Sequence, residues 1–264
     1  MDDEIIRKYL KLHSKLKIDR QKEVKHPPIA FSIGEVTVGQ TTYDCPFGTY
    51  GNFSAVIGGS KAGKSYYKAL LIAAYIGGNS IELAPNIKSH RSEDLEVLDF
   101  DTEQGEWHTQ MGSKRVDKIV NGSYDNYHSF MLRELDFDER LEFIEYCLNK
   151  YKNVGIVVID GIADLISDVN SLEEANIIVQ KIMLWTVKYN IHIIAVLHTN
   201  WGSSKATGHL GSAVMKKAET VCQLERKDIE TLVTFPFCRG FKIEPFEFFI
   251  NSEGLPETRN TMAY

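Results

Sequence analysis

The chain has 264 residues, of which 43% are hydrophobic and 25% charged, and a formal net charge of −6. That length and balance describe one large soluble domain or one domain with an appendage, and the negative charge argues against a strongly basic nucleic-acid coat. No run of about 18 apolar residues occurs, so no membrane span is expected. Cys45, Cys147, Cys222 and Cys238 lie far apart without ligand spacing, and read as reduced thiols. The opening MDDEIIRKYLKLH is acidic and then mixed in charge, unlike a signal or transit peptide, so the expected location is the cytoplasm.

Taken in chain order, residues 4–16 place Ile5, Ile6, Tyr9, Leu10, Leu12 and Leu16 at helical intervals and predict an amphipathic helix. The charged stretch KIDRQKEVKHPP follows as a linker, setting residues 1–26 apart. From Ile29 short β-like runs continue to Gly51-Asn52. Phe53–Ile57 then reads as a buried strand and Lys64–Ile76 as a helix ended by Gly77-Gly78. Strand 96–101, a polar and partly helical region, and a short strand at 128–132 come next. Helix 138–151, strand 154–160, helix 171–189 and strand 191–198 continue the alternation. Buried strands alternating with amphipathic helices predict an α/β fold with a mainly parallel sheet covered on both faces. Runs at 220–225, 231–237 and 246–250, with a turn at Asn251-Ser-Glu-Gly254, predict an antiparallel extension at the C-terminal end. The main domain is expected at 27–255, with a tail at 256–264.

Gly58-Gly-Ser-Lys-Ala-Gly63-Lys64-Ser65 fits GxxxxGK[ST] between an apolar strand and a helix. Backbone N–H groups of Gly58, Gly59, Ser60, Lys61, Ala62, Gly63 and Lys64, running on to Tyr66, are the expected phosphate cradle. Lys64 would neutralise β/γ oxygens of ATP, and Ser65 would ligate Mg²⁺. Lys61 has two readings, a further phosphate contact or a solvent-facing side chain.

The apolar run Ile156-Val-Val-Ile159 ends at Asp160, the second expected metal residue. Gly161 follows, so classes that place a catalytic glutamate beside the metal aspartate fit poorly. Glu103, in Asp101-Thr-Glu-Gln-Gly105 just past the end of another strand, is the candidate base for water. His198, in His198-Thr199-Asn200 at a third strand end, is within expected reach of the γ-phosphate.

The order of P-loop, DTEQG, strand with Asp160-Gly161, HTN and the Gly208-His-Leu-Gly211-Ser212 loop resembles RecA-like P-loop ATPases. It is most similar to the RepA-like group of plasmid and mobile-element replicative helicases, over about residues 27–255. The resemblance implies ATP hydrolysis at the subunit interfaces of a homo-oligomeric ring, usually a hexamer. By it Glu103 would be the base, Asp160 the metal acid and His198 the γ-phosphate sensor. It also implies a basic residue inserted from the neighbouring subunit: Arg239 is the candidate and Lys242 the second, although the family's closely spaced basic pair is not cleanly present. An ordinary exposed arginine is the other reading of Arg239. The loop Trp201–Gly208 corresponds to the family's central DNA-facing loops; Trp201 would stack on a base of single-stranded DNA, while Lys205 and Lys216 or Lys217 would follow phosphates. Gly112-Ser-Lys-Arg115 is a second candidate for that contact.

There is no [NT]KxD for guanine and no LSGGQ-like signature. The alternative of another class is a nucleotide-gated scaffold that assembles on ATP and recruits a replication or mobile-element protein, with slow hydrolysis and no unwinding.

Overall fold

The strand Val154–Asp160 is buried along its whole length. Its alternation sends Ile156 and Val158 into one apolar cluster and Val157 and Ile159 into another. A strand apolar on both sides must be covered on both faces, and that demand organises the molecule. The computed structural model describes residues 3–77, 82–92, 94–199 and 206–259.

The elements in chain order begin with α1 (Asp3–Leu16), β1 (Ile29–Val38), β2 (Thr41–Thr49), β3 (Phe53–Gly58) and α2 (Lys64–Gly77). Next come β4 (Ile87–Ser89), β5 (Glu96–Asp101), α3 (Glu106–Val120), β6 (Tyr127–Met131), α4 (Phe137–Lys150) and β7 (Val154–Asp160). The last are α5 (Leu172–Tyr189), β8 (His192–His198), α6 (Gly208–Lys217), β9 (Thr220–Lys227), β10 (Glu230–Cys238), β11 (Phe246–Ile250) and β12 (Pro256–Arg259). Gly78, expected to help end α2, lies outside the described residues.

Among the described residues the main sheet has nine strands, ordered β12-β11-β10-β9-β3-β8-β7-β5-β6. From β9 to β6 every neighbouring pair is parallel, and β10, β11 and β12 add antiparallel strands, as the sequence led us to expect. One face is packed by α2 and α3, the other by α4, α5 and α6. A smaller antiparallel sheet, β2-β1-β4, joins the first of these clusters through Phe31, Phe47 and Ile87.

Two results differ from expectation. The polar region after β5 holds a full helix, α3, which buries only Val116 and Ile119 and so gives a weak apolar signal. Residues 256–259, expected as tail, form β12: Pro256 and Thr258 face inward, and Thr258 N–H donates to the Leu83 carbonyl at 2.8 Å. Among the described residues no helix is long and apolar enough to cross a membrane.

Candidate nucleotide-binding site

The strand β3 is buried throughout, and its end at Gly58 launches the loop that leads into α2. Gly63 has φ +88°, and a Cβ there would lie 3.1 Å from both the Phe248 ring and the Thr231 hydroxyl. Only glycine lets the loop turn in this conformation while resting on β10 and β11. Lys61 takes a left-handed φ of 62°, a strained choice for a side-chain-bearing residue and typical of tight functional turns. Lys64, at the first position of α2, folds back over the loop. Its Nζ donates to the carbonyls of Gly58 and Gly59, each at 2.9 Å. Burial pulls the Lys64 ammonium below its ordinary range, against the opposing charges of Glu103 and Asp160.

Strand register then gathers the other candidates. Gly58 pairs with His198, and Asp101 pairs with Asp160, so residues 140 and 59 positions apart meet at the carboxyl ends of adjacent parallel strands. This is the edge where open α/β sheets bind ligands. Lys64 Nζ lies 3.1 Å from His198 Nδ1, while His198 Nε2 lies 3.1 and 3.2 Å from the two Glu103 oxygens. An ammonium can only donate, so Nδ1 accepts and Nε2–H donates to the carboxylate. Lys64, His198 and Glu103 thus form one directed chain. The His198 hydrogen bond, outweighing burial, holds the Glu103 carboxyl below the usual carboxylate range.

Ser60, Lys61, Gly63, Lys64, Ser65, Tyr66, Glu103, Asp160 and His198 line one open groove of about 710 Å³. That volume accommodates a nucleotide-sized ligand. Residues 48–204, more than half of the chain, match the family model of an AAA domain. The chain belongs to this AAA-domain family of P-loop ATPases. Comparison with curated proteins gives no match.

The donor set of this ATPase fits the ion such enzymes use. The Ser65 hydroxyl and Asp160 carboxylate are hard oxygen donors, and Asp160 is buried beside the groove. Among the described residues no cluster of three His, Cys, Asp or Glu could cage a metal. Mg²⁺ suits such a site, since it keeps several waters and takes the rest of its shell from phosphates. Ser65 and Asp160 would hold it, and it would neutralise charge on the phosphates.

The ATPase also holds groups that pattern reading missed. Lys68, one turn beyond Lys64 on α2, is buried against Asp160 at 2.9 Å, Asp99 at 3.3 Å and Asp101 at 3.7 Å. Burial alone would lower its pKa, but the three carboxylates hold it well above the ordinary range. Burial pushes the Asp101 carboxyl up to about 6 despite Lys68. The i, i+4 spacing from Lys64 was the available signal for Lys68. Thr102 was missed as well: its hydroxyl lies within hydrogen-bonding reach of the carbonyls of Asp160 (2.9 Å) and Gly161 (3.0 Å) and of Asp164 Oδ2 (2.8 Å). Gly161, at φ +99°, exists because a Cβ there would meet that hydroxyl at 2.1 Å. Arg226, at the groove end of β9, lines the same groove, with Nε donating to the Asp228 carbonyl.

The remaining candidates lie elsewhere. Arg239 follows β10, whose Cys238 pairs with Thr220, and its guanidinium reaches Asn52 Oδ1 and the Lys217 carbonyl, each at 3.4 Å. That is the opposite edge of the sheet from the P-loop, so Arg239 does not reach the groove of its own chain. Lys242 is exposed and paired with Glu244 at 2.9 Å. Lys216 and Lys217 are exposed in the last turn of α6. Asn200, Trp201 and Lys205 lie outside the described residues, although their flanks, Thr199 and Ala206, bridge directly beyond His198. The 112–115 segment falls on α3, where Lys114 and Arg115 line a groove with Ser65 and Tyr66.

Proposed function

We propose that this ATPase hydrolyses ATP with Mg²⁺ as a homo-oligomeric ring acting on single-stranded DNA, in the manner of the RepA-like replicative helicases of plasmids and mobile elements. The observation that carries the hydrolytic part is the directed Lys64–His198–Glu103 chain beside Ser65 and Asp160. Loop N–H groups and Lys64 bind the β- and γ-phosphates. Glu103, kept ionised by His198, takes the proton of the attacking water as its oxygen bonds to the γ-phosphorus. The bond to the bridging oxygen breaks and ADP leaves. His198, bonded to both Lys64 and Glu103, reports the γ-phosphate to the base. The adenine would lie in the neighbouring groove, lined by Gly254 and Leu255, where the Arg115 guanidinium sits 4.0 Å from the Tyr66 ring centroid.

Two features support assembly. Arg239 is remote from its own groove, as a residue serving a neighbour's phosphate must be. The helix α1 buries none of its residues and exposes Ile5, Tyr9, Leu10 and Leu16, an apolar stripe suited to another subunit. The DNA contact rests on the resemblance of the 201–208 loop and on exposed Lys216. The test is steady-state ATP hydrolysis with and without single-stranded DNA at several protein concentrations, with Glu103→Gln as the blank. Strong DNA stimulation that rises steeply with concentration supports the motor; slow hydrolysis indifferent to DNA rejects it in favour of the nucleotide-gated scaffold.

A further inference from the structure

We infer that Lys68 is a positioning residue of the ATP site: its buried ammonium ties Asp160, on the metal side, to the Asp101 turn that carries Glu103. The inference rests on the hydrolytic reading above and deepens it.

Lys68 leaves α2 on the same face as Lys64 but beneath the loop, and its ammonium sits among three carboxylates from two neighbouring strands. Among the described residues no other lysine or arginine is ion-paired with Asp99, Asp101 or Asp160. Each carboxylate has a distinct second attachment. Asp99 accepts from the Tyr127 hydroxyl at 3.0 Å, which anchors the cluster to β6. Asp101 meets Lys68 through Oδ2, while its Oδ1 accepts from the N–H groups of Glu103 (3.1 Å) and Gln104 (2.8 Å). That carboxylate therefore sets the backbone from which the base projects. Asp160 meets Lys68 through Oδ2 and lines the phosphate groove with Ser65.

The charges give the cluster its second property. Three carboxyl groups share one ammonium, so removing Lys68 leaves the cluster without the cation it is built around. Like charges this close splay apart unless a cation stands between them. Lys68 would be that cation before nucleotide arrives, and its charge beside Asp160 would lower the pull of the bare site on free Mg²⁺. A purely structural lysine would make neither contribution to the site.

The test uses the full chain with Lys68→Met, Lys68→Arg and the double variant Lys68→Met/Asp99→Asn. The first readout is calorimetric titration of Mg²⁺ alone into nucleotide-free protein. Lys68→Met should bind Mg²⁺ about tenfold more tightly than wild type, because one positive charge has left a poorly screened site. Lys68→Arg should restore the wild-type affinity. General damage would leave Mg²⁺ affinity unchanged or weaker, and either result overturns the inference. The second readout is the split between kcat and KM for ATP. With Lys68→Met, kcat should fall by about tenfold or more while KM stays within about threefold, since the phosphate cradle is untouched. The double variant keeps the charge sum and guards against misfolding of the single one. It should show wild-type Mg²⁺ affinity with kcat still reduced, and full recovery of kcat would overturn the positioning role. If wild type itself fails to hydrolyse ATP, the hydrolytic reading falls, whereas the Mg²⁺ titration still judges Lys68.

Discussion

Glu103→Gln separates holding the phosphate from breaking it. In the fold Glu103 touches His198 Nε2 through both oxygens, at 3.1 and 3.2 Å, and its side chain is 38% exposed. Glutamine keeps an oxygen acceptor at the same reach. Solvent screens the lost charge, so folding stability should change by less than about 1 kcal/mol. The cradle of loop amides and Lys64 is untouched, and nucleotide affinity should stay within about threefold of wild type. Turnover should behave differently. A positioned base is worth about 10²–10⁴ in rate, which is about 2.7–5.4 kcal/mol of barrier. Phosphate release at saturating ATP would measure the loss, and titration with a fluorescent nucleotide would check binding. A kcat within about threefold of wild type, with unchanged affinity, would remove Glu103 as the base. The depressed pKa adds a pH signature. A carboxylate held below its ordinary range stays ionised as pH falls, so the base should be lost only below the usual carboxylate range.

Gly161→Ala should destabilise the fold by about 2–4 kcal/mol, from the left-handed φ and the displaced Thr102 hydroxyl. Urea unfolding measures this, and a shift below about 0.5 kcal/mol would show that the β5–β7 junction relaxes freely. His192 is buried at the start of β8, donates from Nδ1 to the Thr49 carbonyl at 3.0 Å and leaves Nε2 without a hydrogen-bond partner. Burial lowers its pKa, partly opposed by Glu219. The unfolded chain therefore takes up a proton below about pH 6.5 that the folded chain refuses. Stability should fall as pH drops from there, by up to about 1.4 kcal/mol per pH unit, and less steeply in His192→Gln. Parallel urea midpoints for the two proteins between pH 5 and 7 would contradict this account. Arg239→Ala should lower turnover without preventing nucleotide binding, and only at concentrations where the protein assembles; unchanged turnover there would exclude it as the trans-acting residue.

Local chemistry made much of this legible before any fold was known. The P-loop announces itself because its glycines, lysine and serine must be contiguous to wrap one phosphate group. The alternating β/α pattern is readable because a strand buried on both faces has to be apolar along its body, as Val154–Asp160 is up to its final aspartate. Asp160 and His198 end apolar strands and Glu103 lies just past the end of another, which is what singled them out as candidates. Which of them touch was decided by register: Gly58 opposite His198 and Asp101 opposite Asp160 are pairings between distant segments. No motif marks Lys68 in the sequence, and only the convergence of two strands on α2 surrounds it with three carboxylates. Gly161 read as the absence of a glutamate, whereas the fold shows a position that Thr102 leaves no room to fill. Arg239 looked equally able to serve the phosphates or face solvent, and its place at the far end of β10 assigns it to the edge away from its own groove. The sequence alone determined the binding loop, the strand ends and the αβ alternation, since each depends on neighbours in the chain. The tertiary structure decided the charge cluster and the hydrogen-bonded chain from Lys64 to Glu103, because those contacts exist only once parallel strands have set their register.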